Sequence, residues 1–348
     1  MRIIASLVFV ALSACAAADV QAPLEIDEAL ETERWLFDDH VDDLRAASCP
    51  EGDAYLRAEP IQVRVIQAER GNADARERQL TGMTLAGAWQ LESDEADFGG
   101  LSGLATLPSG SLLAISDSGA FIWIGIDPEA GTPDGLGAIS YMRDLNGNFF
   151  ANKRDGDSEG LSLRGGMAFV SFEQDHRISA FDLEACGAAA RAAPVVSLAP
   201  VVDGKLLQDN RGPEAFTFSG ETLSVGFEMR HAGGSPVGTV NIDGTLSELR
   251  STEQPIFYLM TGMDARDDLT AGLFRAYDPI RGARVLLQVD QDGSRIGEGE
   301  FKQPLPVDNF EGVAIGSAPS GAPRIWLISD DNFSANQRTL LLALDLDQ

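Results

Sequence analysis

The fold is decided by a pattern that is clearest in residues 158–173, SEGLSLRGGMAFVSFE. An acidic start leads into a short apolar run, two glycines form a turn, and a second apolar run ends in Glu173. Short β-type runs separated by Gly-rich turns are typical of a β-hairpin. The same order of features recurs in three other places, which begin at Leu101-Ser102-Gly103, Pro213-Glu214-Ala215 and Phe310-Glu311-Gly312.

The spacing of these copies predicts an all-β propeller. The marked positions lie 57 residues apart (102 to 159), then 55 (159 to 214), then 97 (214 to 311). A period near 50 residues is typical of a four-stranded blade, and the long last gap leaves room for a degenerate copy. Two runs that end in Asp264 and Asp278, residues 257–264 and 273–278, fit that place.

We expect five four-stranded blades, and a sixth is left open because residues 56–95 hold enough sequence for part of one. The last copy runs out at Leu346 without an outer strand, and residues 84–91 are suited to supply that strand and close the ring. The predicted domains are therefore a signal peptide over residues 1–14, an N-terminal extension over residues 15–80 and a propeller over residues 81–348.

Residues 1–14 have the features of a bacterial export signal, since a basic start precedes ten mostly apolar residues, too few to cross a bilayer. The next letters, Leu12-Ser13-Ala14-Cys15, resemble a lipobox, in which cleavage before the cysteine leaves that cysteine lipidated. We expect an exported cell-envelope lipoprotein that faces the periplasm, held by its lipid alone and favouring the outer over the inner membrane. A secretory signal cut after Ala14 or Ala18 is the alternative.

Two further cysteines, Cys49 and Cys186, would remain in the mature chain. In an oxidising compartment such a pair permits one disulfide, which would tie the extension to the propeller. Two unrelated thiols are the alternative, because two cysteines form no framework pattern.

The chain is strongly acidic, with 54 Asp and Glu against 26 Lys and Arg among 348 residues and a net charge of −28. A surface this negative repels phosphate backbones and anionic lipid headgroups. Nucleic acid and charge-driven membrane attachment are therefore excluded as partners. We expect a monomer whose partner is a small molecule.

Each second strand ends in an acid, and the hairpin places that acid beside the start of its partner strand. Because innermost propeller strands line the central channel, these carboxylates should meet at one mouth of the channel. Such groups repel one another unless protons or a cation neutralise them, and all-oxygen ligation suits calcium better than magnesium or manganese. The candidate ligands are Asp117, Glu159, Glu173, Glu214, Glu228, Glu311 and Asp330, with Asn210, Asn309, Asp331 and Asn332 as further oxygen donors.

Two alternatives need no catalysis at these acids. Each glutamate could cap its blade through backbone N–H groups, without a metal. A calcium ion could also do no more than hold the blades together.

The ordered set of motifs resembles the phytase-like family, which is described as having esterase-like or phosphodiesterase-type activity. The resemblance covers about residues 82–348, although Ser102 stands where the other copies carry Glu. The segments that carry it are Phe98–Leu104, Asp157–Leu161, Phe172-Glu173 with Arg177-Ile178, Gly212–Ala215, Phe227-Glu228, Asn309–Gly312 and Ser329–Asn332.

The resemblance implies metal-assisted hydrolysis of a phosphoester or related ester. Calcium would act as a Lewis acid on a phosphoryl oxygen, and one of Glu159, Glu214 and Glu311 would take a proton from the attacking water. Arg177 and Arg211 would hold the phosphate by forked hydrogen bonds, with ordinary surface salt bridges as the alternative. Lys153 and Arg154 are weaker candidates for the same role.

Two other functions stay open. One is a non-catalytic, calcium-stabilised propeller that binds a ligand or a protein partner in the envelope. The other is a serine esterase, because Gly156-Asp157-Ser158-Glu159-Gly160 has the letters of a nucleophile elbow. That motif requires a helix after the serine, whereas this sequence predicts a Gly-Gly turn and another strand.

Overall fold

The computed structural model describes residues 32–199, 201–202, 204–207 and 212–347. The predicted signal peptide, the predicted lipidation site Cys15, and the candidates Asn210 and Arg211 lie outside the described residues. In the part of the chain that is described, no helix has the length and apolar character to cross a bilayer.

The residues before the first blade form short elements joined by loops. Asn72 begins the second helix by accepting a hydrogen bond from the backbone N–H of Ala75, as an N-cap does. In chain order the elements are α1 (Phe37–Ser48), β1 (Glu59–Gln62), β2 (Arg64–Gln67), α2 (Ala73–Gln79), β3 (Leu80–Thr81) and β4 (Met83–Glu92).

The remaining strands build the blades. Blade 1 contains β5 (Leu101–Thr106), β6 (Leu112–Ser116), β7 (Ala120–Ile126) and β8 (Pro133–Tyr141), and α3 (Lys153–Gly156) follows it. Blade 2 contains β9 (Ser158–Arg164), β10 (Met167–Phe172), β11 (Arg177–Phe181) and β12 (Ala193–Ser197), and the small hairpin β13 (Val201–Val202) and β14 (Lys205–Leu206) follows. Blade 3 contains β15 (Ala215–Ser219), β16 (Thr222–Gly226), β17 (Pro236–Val240) and β18 (Leu246–Ser251).

Two more blades complete the ring. Blade 4 contains β19 (Leu259–Arg266), β20 (Leu269–Asp278), β21 (Gly282–Gln291) and β22 (Ser294–Phe301). Blade 5 combines β23 (Asn309–Ser317), β24 (Pro323–Asp330) and β25 (Leu340–Leu346) with β4. The prediction of an all-β propeller with five blades is therefore confirmed, and the long third gap holds blade 4.

Blade 5 closes the ring with strands from both ends of the described chain. β25 pairs with β4 in antiparallel register, for example Leu342 with Ala88 and Leu344 with Leu85. The expected outer strand, residues 84–91, lies within β4. Closure of this kind pairs the edges that an open sheet would expose.

No sixth blade forms among the described residues, because residues 59–81 extend existing blades instead. β1 pairs with β8 of blade 1, β2 with β4 of blade 5, and β3 with β22 of blade 4. Three of the five blades consequently have a fifth strand at their outer edge.

The helix α1 packs on blade 2 through aromatic side chains. Trp35 and Phe37 are buried, and the Phe37 ring meets Phe169 and Phe218 edge-on at centroid distances of 6.0 and 5.9 Å. A disulfide between Cys49, which follows α1, and Cys186, which follows β11, joins these elements with a Cα–Cα distance of 5.7 Å.

The innermost strands approach so closely that glycine is needed beside the axis. A Cβ on Gly160 would lie 2.6 Å from Ser171 Oγ and 2.9 Å from Phe216 Cβ of the next blade. A Cβ on Gly262 would lie 2.4 Å from the Glu311 carbonyl oxygen. The Gly of the Glu-Gly motif thus serves packing between blades, while the residue before it faces the channel.

Candidate metal centre

The inner strands present one equivalent position each to the channel. The pairing registers define these positions as Ser102, Glu159, Glu214, Thr261 and Glu311, each followed by a small residue, Ala215 in blade 3 and Gly in the others. Ser102 and the three glutamates line one small cavity on the axis, with a volume of about 10 Å³. That volume is close to the space that a single water molecule requires. The structure therefore brings Glu159, Glu214 and Glu311 together.

The two hydroxyl residues of this ring connect blades. Ser102 Oγ donates a hydrogen bond to the carbonyl oxygen of Ser158, which joins blade 1 to blade 2. Thr261 Oγ1 donates to the carbonyl oxygen of Phe310 at 3.2 Å, which joins blade 4 to blade 5. Their short side chains stabilise the ring and leave the glutamates as its charged members.

A second set of positions lies where the second strand of each blade passes the start of the inner strand. Its members are Asp117, Glu173, Glu228, Arg275 and Asp330, each next to the start of the inner strand in its own blade. Four of the five are acids, as the sequence predicted. Blade 4 differs, since it carries the arginine.

Asp264 and Asp278, the acids expected in blade 4, do not occupy the equivalent position. Asp278 is the last residue of β20 and accepts hydrogen bonds from the backbone N–H groups of Ile280 and Arg281 in the turn to β21. Asp264 lies three residues farther along β19 than Thr261 and accepts a 2.7 Å hydrogen bond from the backbone N–H of Ile315. Both acids therefore satisfy backbone donors.

Arg275 is a functional candidate that sequence reasoning missed. Its guanidinium donates to Glu228 Oε1 at 3.0 Å and also contacts Glu311 and Asn309. The sequence held a signal, because Phe274-Arg275 occupies the place of Phe172-Glu173 in the blade pattern. The sequence pattern was searched only for acids at this position, so the arginine of blade 4 was not noticed.

Asp157 is a second residue that the sequence reading left out of the ligand set. One carboxylate oxygen each from Asp157, Glu159 and Glu173 lies within 4.8 Å of the other two. Asp157 is 3% exposed and accepts a 2.6 Å hydrogen bond from Gln174 Nε2. Its place directly before Ser158-Glu159 in the quoted motif was the available signal. These three acids form a compact all-oxygen cluster that could hold a metal ion.

Burial and mutual repulsion favour protonated forms of these acids when no cation is bound. Burial, followed by repulsion from the other acids of the channel, raises the pKa of Glu159 and of Glu214 well above the ordinary value. Burial and the neighbouring Asp157 raise the pKa of Glu173 to about 7. Burial also raises the pKa of Glu311 to about 7, although Arg275 opposes the shift.

The glutamates differ in how they are held. Glu311 accepts hydrogen bonds from Arg275 and from Asn309 Nδ2, and the latter also donates to Asp330. By contrast, no described residue donates a hydrogen bond to the carboxylate of Glu159 or Glu214. Two converging carboxylates without a protein donor are an arrangement that a bound cation or protons would complete.

The predicted phosphate-binding arginine of blade 2 is occupied by other contacts. The Arg177 guanidinium donates to the Asp155 carbonyl oxygen and to Asp175, and it lies 4.1 Å from the centre of the Phe172 ring. Lys153 instead reaches the acids, with Nζ 2.7 Å from Asp117 Oδ2 and 3.6 Å from Asp157 Oδ1.

The nucleophile-elbow letters around Ser158 do not form that motif. Ser158 starts β9, which continues into a hairpin with β10 and not into a helix. Its side chain is fully buried, and its Oγ donates to the carbonyl oxygen of Ser116 at 2.7 Å. Ser158 therefore links blade 2 to blade 1.

Residues 96–253 match the phytase-like family model, whose description is esterase-like activity of phytase. This part of the chain is similar to the phytase-like family. The matched residues contain blades 1 to 3, and with them Asp117, Asp157, Glu159, Glu173, Glu214 and Glu228. Blades 4 and 5 lie beyond the phytase-like match. No curated protein matches the sequence.

Several solved structures show distant similarity over most of this chain and nearly all of their own. The PQQ-bound aldose sugar dehydrogenase of Streptomyces coelicolor is 13% identical with a TM-score of 0.41, over 83% of this chain and 99% of that one. The glutaminyl cyclase of Myxococcus xanthus is 12% identical with a TM-score of 0.40, over 84% and 100%. The pyranose dehydrogenase PQQ domain of Coprinopsis cinerea is 10% identical with a TM-score of 0.35, over 85% and 99%. These likenesses are too distant to indicate a function.

Proposed function

We propose that this protein is a metal-dependent hydrolase of phosphoesters or related esters. The observation that carries the proposal is the set of acids at the channel mouth, in which Glu159 and Glu214 converge without a hydrogen-bond donor from any described residue. The family description, esterase-like activity of phytase, supports the reaction class. A purely structural role would leave fewer carboxylates in need of a counter-ion.

The residues present fit a hard cation. Asp157, Glu159 and Glu173 offer only oxygen ligands, which suits calcium, with magnesium or manganese as the less favoured choices. When bound, the ion would supply Lewis-acid polarisation of the ester and would neutralise the clustered carboxylates. Glu214 and Glu311 line the same small cavity as Glu159 of this cluster.

The chain's own acids divide into roles by their contacts. Glu159 belongs to the three-acid cluster, so we assign it as a ligand. Glu311 is fixed by Arg275 and Asn309, so it is the least free to move a proton. Glu214 has neither constraint, and burial and the neighbouring acids raise its pKa, so its carboxylate is a stronger base than an ordinary one. Glu214 is therefore our choice for the general base that takes a proton from water.

The place of action is also part of the proposal. We propose an exported, monomeric lipoprotein held in the envelope by a lipid on Cys15, which meets a small-molecule ester in the periplasm. Metabolic labelling with a fatty-acid probe tests the anchor. Label in the natural protein that is absent from Cys15→Ser supports it, and equal label in both contradicts it.

The reaction is tested with chromogenic esters. Purified protein is assayed on bis(p-nitrophenyl) phosphate, p-nitrophenyl phosphate and p-nitrophenyl acetate, each with calcium and with EGTA. We expect turnover that EGTA abolishes and that Glu214→Gln lowers by at least about 100-fold, as removal of a general base does. Glu129→Gln, a change at an exposed loop position, is the matched control and should keep full activity.

Two outcomes would contradict the hydrolase proposal. Turnover that is indifferent to EGTA and to Glu214→Gln would place the chemistry elsewhere. Thermal stabilisation by calcium without turnover of any of the three ester classes would instead favour the non-catalytic, calcium-stabilised propeller.

A further inference from the structure

A groove of about 400 Å³ opens beside the metal centre and takes no part in the functions assigned above. Its size falls within the range of roughly 300–1,000 Å³ that small-molecule sites usually have. Loops of blades 1 and 5 and the segment before α3 form its walls. The lining residues are Asp117, Ser118, Phe150, Ala151, Asn152, Lys153, Asn332 and Phe333.

One wall of the groove is an exposed aromatic ring on a constrained turn. Phe333 is 47% exposed, and both Asn332 and Phe333 have a φ of 49°, in the left-handed region that large side chains rarely adopt. The Phe333 ring lies against the backbone of Gly100, where an added Cβ would come 2.6 Å from it. The fold thus keeps an apolar ring at the edge of the groove.

A second ring, that of Phe150, lines the same groove. Phe150 is half-buried and meets Phe172 edge-on at a centroid distance of 5.7 Å, so its position is set from behind. Two aromatic side chains on one groove favour a flat apolar group, since ring contacts add to the burial of apolar area.

Lys153 connects this groove to the acid cluster. Its Nζ lies 2.7 Å from Asp117 Oδ2 in the groove and 3.6 Å from Asp157 Oδ1 in the cluster. The side chain is 62% exposed, which leaves it accessible to a bound anion. Among the described residues that line the groove, it is the one cation.

We propose that this groove binds the alcohol part of the substrate, and that the substrate is a phosphoester of low charge whose alcohol part is a planar apolar ring. The proposal rests on the proposed function, because the ester must reach the acid cluster past Lys153. A single ammonium group can hold one phosphoryl oxygen. A densely phosphorylated polyol would find no further cation among the groove residues, in a chain of net charge −28.

The test measures binding without turnover. Phenylphosphonate has a C–P bond that ester hydrolysis does not cleave, and methylphosphonate lacks only the ring. Their dissociation constants are measured by calorimetry with calcium present, together with that of inositol hexakisphosphate. The variants are Phe333→Asn, since asparagine accepts a positive φ readily, and the matched control Phe257→Asn, which removes an exposed ring outside the groove.

We expect phenylphosphonate to bind about tenfold more tightly than methylphosphonate, and inositol hexakisphosphate to bind more weakly than either. Phe333→Asn should remove this preference for the ring, whereas Phe257→Asn should keep it. Equal binding of the two phosphonates, absence of binding, a preference untouched by Phe333→Asn, or tighter binding of inositol hexakisphosphate would each overturn the proposal.

The two proposals fail in different ways. If the groove proposal alone is wrong, chelator-sensitive ester turnover persists without any preference for a ring. If the hydrolase proposal alone is wrong, the ring preference and its loss in Phe333→Asn persist, yet no ester is cleaved.

Discussion

At the scale of single residues, the channel mouth is controlled by a balance between acids and two cations. Arg275 contacts Glu228 and Glu311, and Lys153 contacts Asp117 and Asp157. These cations offset part of the repulsion, while Glu159 and Glu214 have no such contact with a described residue. The stability of the metal-free protein should therefore depend strongly on the groups that neutralise this mouth.

We expect Arg275→Met to destabilise the metal-free protein by about 3 kcal/mol, because it leaves two largely buried carboxylates without their counter-ion. Saturating calcium should recover part of this loss. Urea unfolding with calcium and with EGTA measures both effects. Arg295→Met is the control, since Arg295 pairs with Asp290 and Glu298 at a more exposed site and should cost less than about 1 kcal/mol. Equal effects of the two changes would refute the role of Arg275.

The pH dependence of the metal-free protein follows from the raised pKa values. The folded protein keeps protons on Glu173 and Glu311 up to a pKa of about 7, while an unfolded chain releases them near 4.5. The folded state thus binds more protons between these limits, so its stability is highest below the lower limit and falls as pH rises towards 7.

Melting temperatures between pH 5 and 8 in EGTA should therefore decrease by several degrees and then level off. Calcium should oppose the decrease, because ionised carboxylates bind it better at higher pH. The double variant Glu173→Gln/Glu311→Gln should flatten the profile. A melting temperature that rises between pH 5 and 7 in EGTA would contradict this account.

At the scale of elements, the β-hairpins of the blades place the acids of the site, and the sequence pattern predicted these hairpins. The copies around Glu159, Glu214 and Glu311 predicted which strand ends meet, because antiparallel pairing fixes those neighbours. Asp157 was overlooked because it lies just outside the repeated positions. It precedes β9, and whether its side chain reaches Glu173 depends on the backbone direction before the strand, which the sequence pattern does not show. Arg275 was overlooked because blade 4 lacks the Glu-Gly start. Without that acid, the strands of blade 4 could not be aligned with those of the other blades.

The disulfide between Cys49 and Cys186 holds α1 against blade 2. It links residues separated by 137 positions, so it restricts the unfolded chain considerably. We expect Cys49→Ser/Cys186→Ser to lower the free energy of unfolding by about 2–4 kcal/mol, measured in urea against the oxidised natural protein. The rise in melting temperature that calcium causes in this double variant should match the rise in the natural protein. A stability loss below about 0.5 kcal/mol would contradict a structural role.

At the scale of the whole molecule, the spacing of the copies predicted five blades, with a sixth left open, and predicted how the ring closes. The missing outer strand after Leu346 and the unassigned residues 84–91 complemented each other, and the structure pairs them. The fate of residues 59–81 was not readable, since short strands at blade edges carry too few residues for a distinct pattern. The groove near Phe333 was equally hidden, because its walls come from loops far apart in sequence.

The pairing of β4 with β25 also makes the protein sensitive to incomplete synthesis. β4 is synthesised well before its partner β25, which lies far along the chain at Leu340–Leu346. A chain that stops before Leu340 leaves β4 and β24 with unpaired edges, which attract proteases and other exposed strands. Closure of the propeller therefore waits for the synthesis of β25, and products truncated before it should be degraded faster than the full chain.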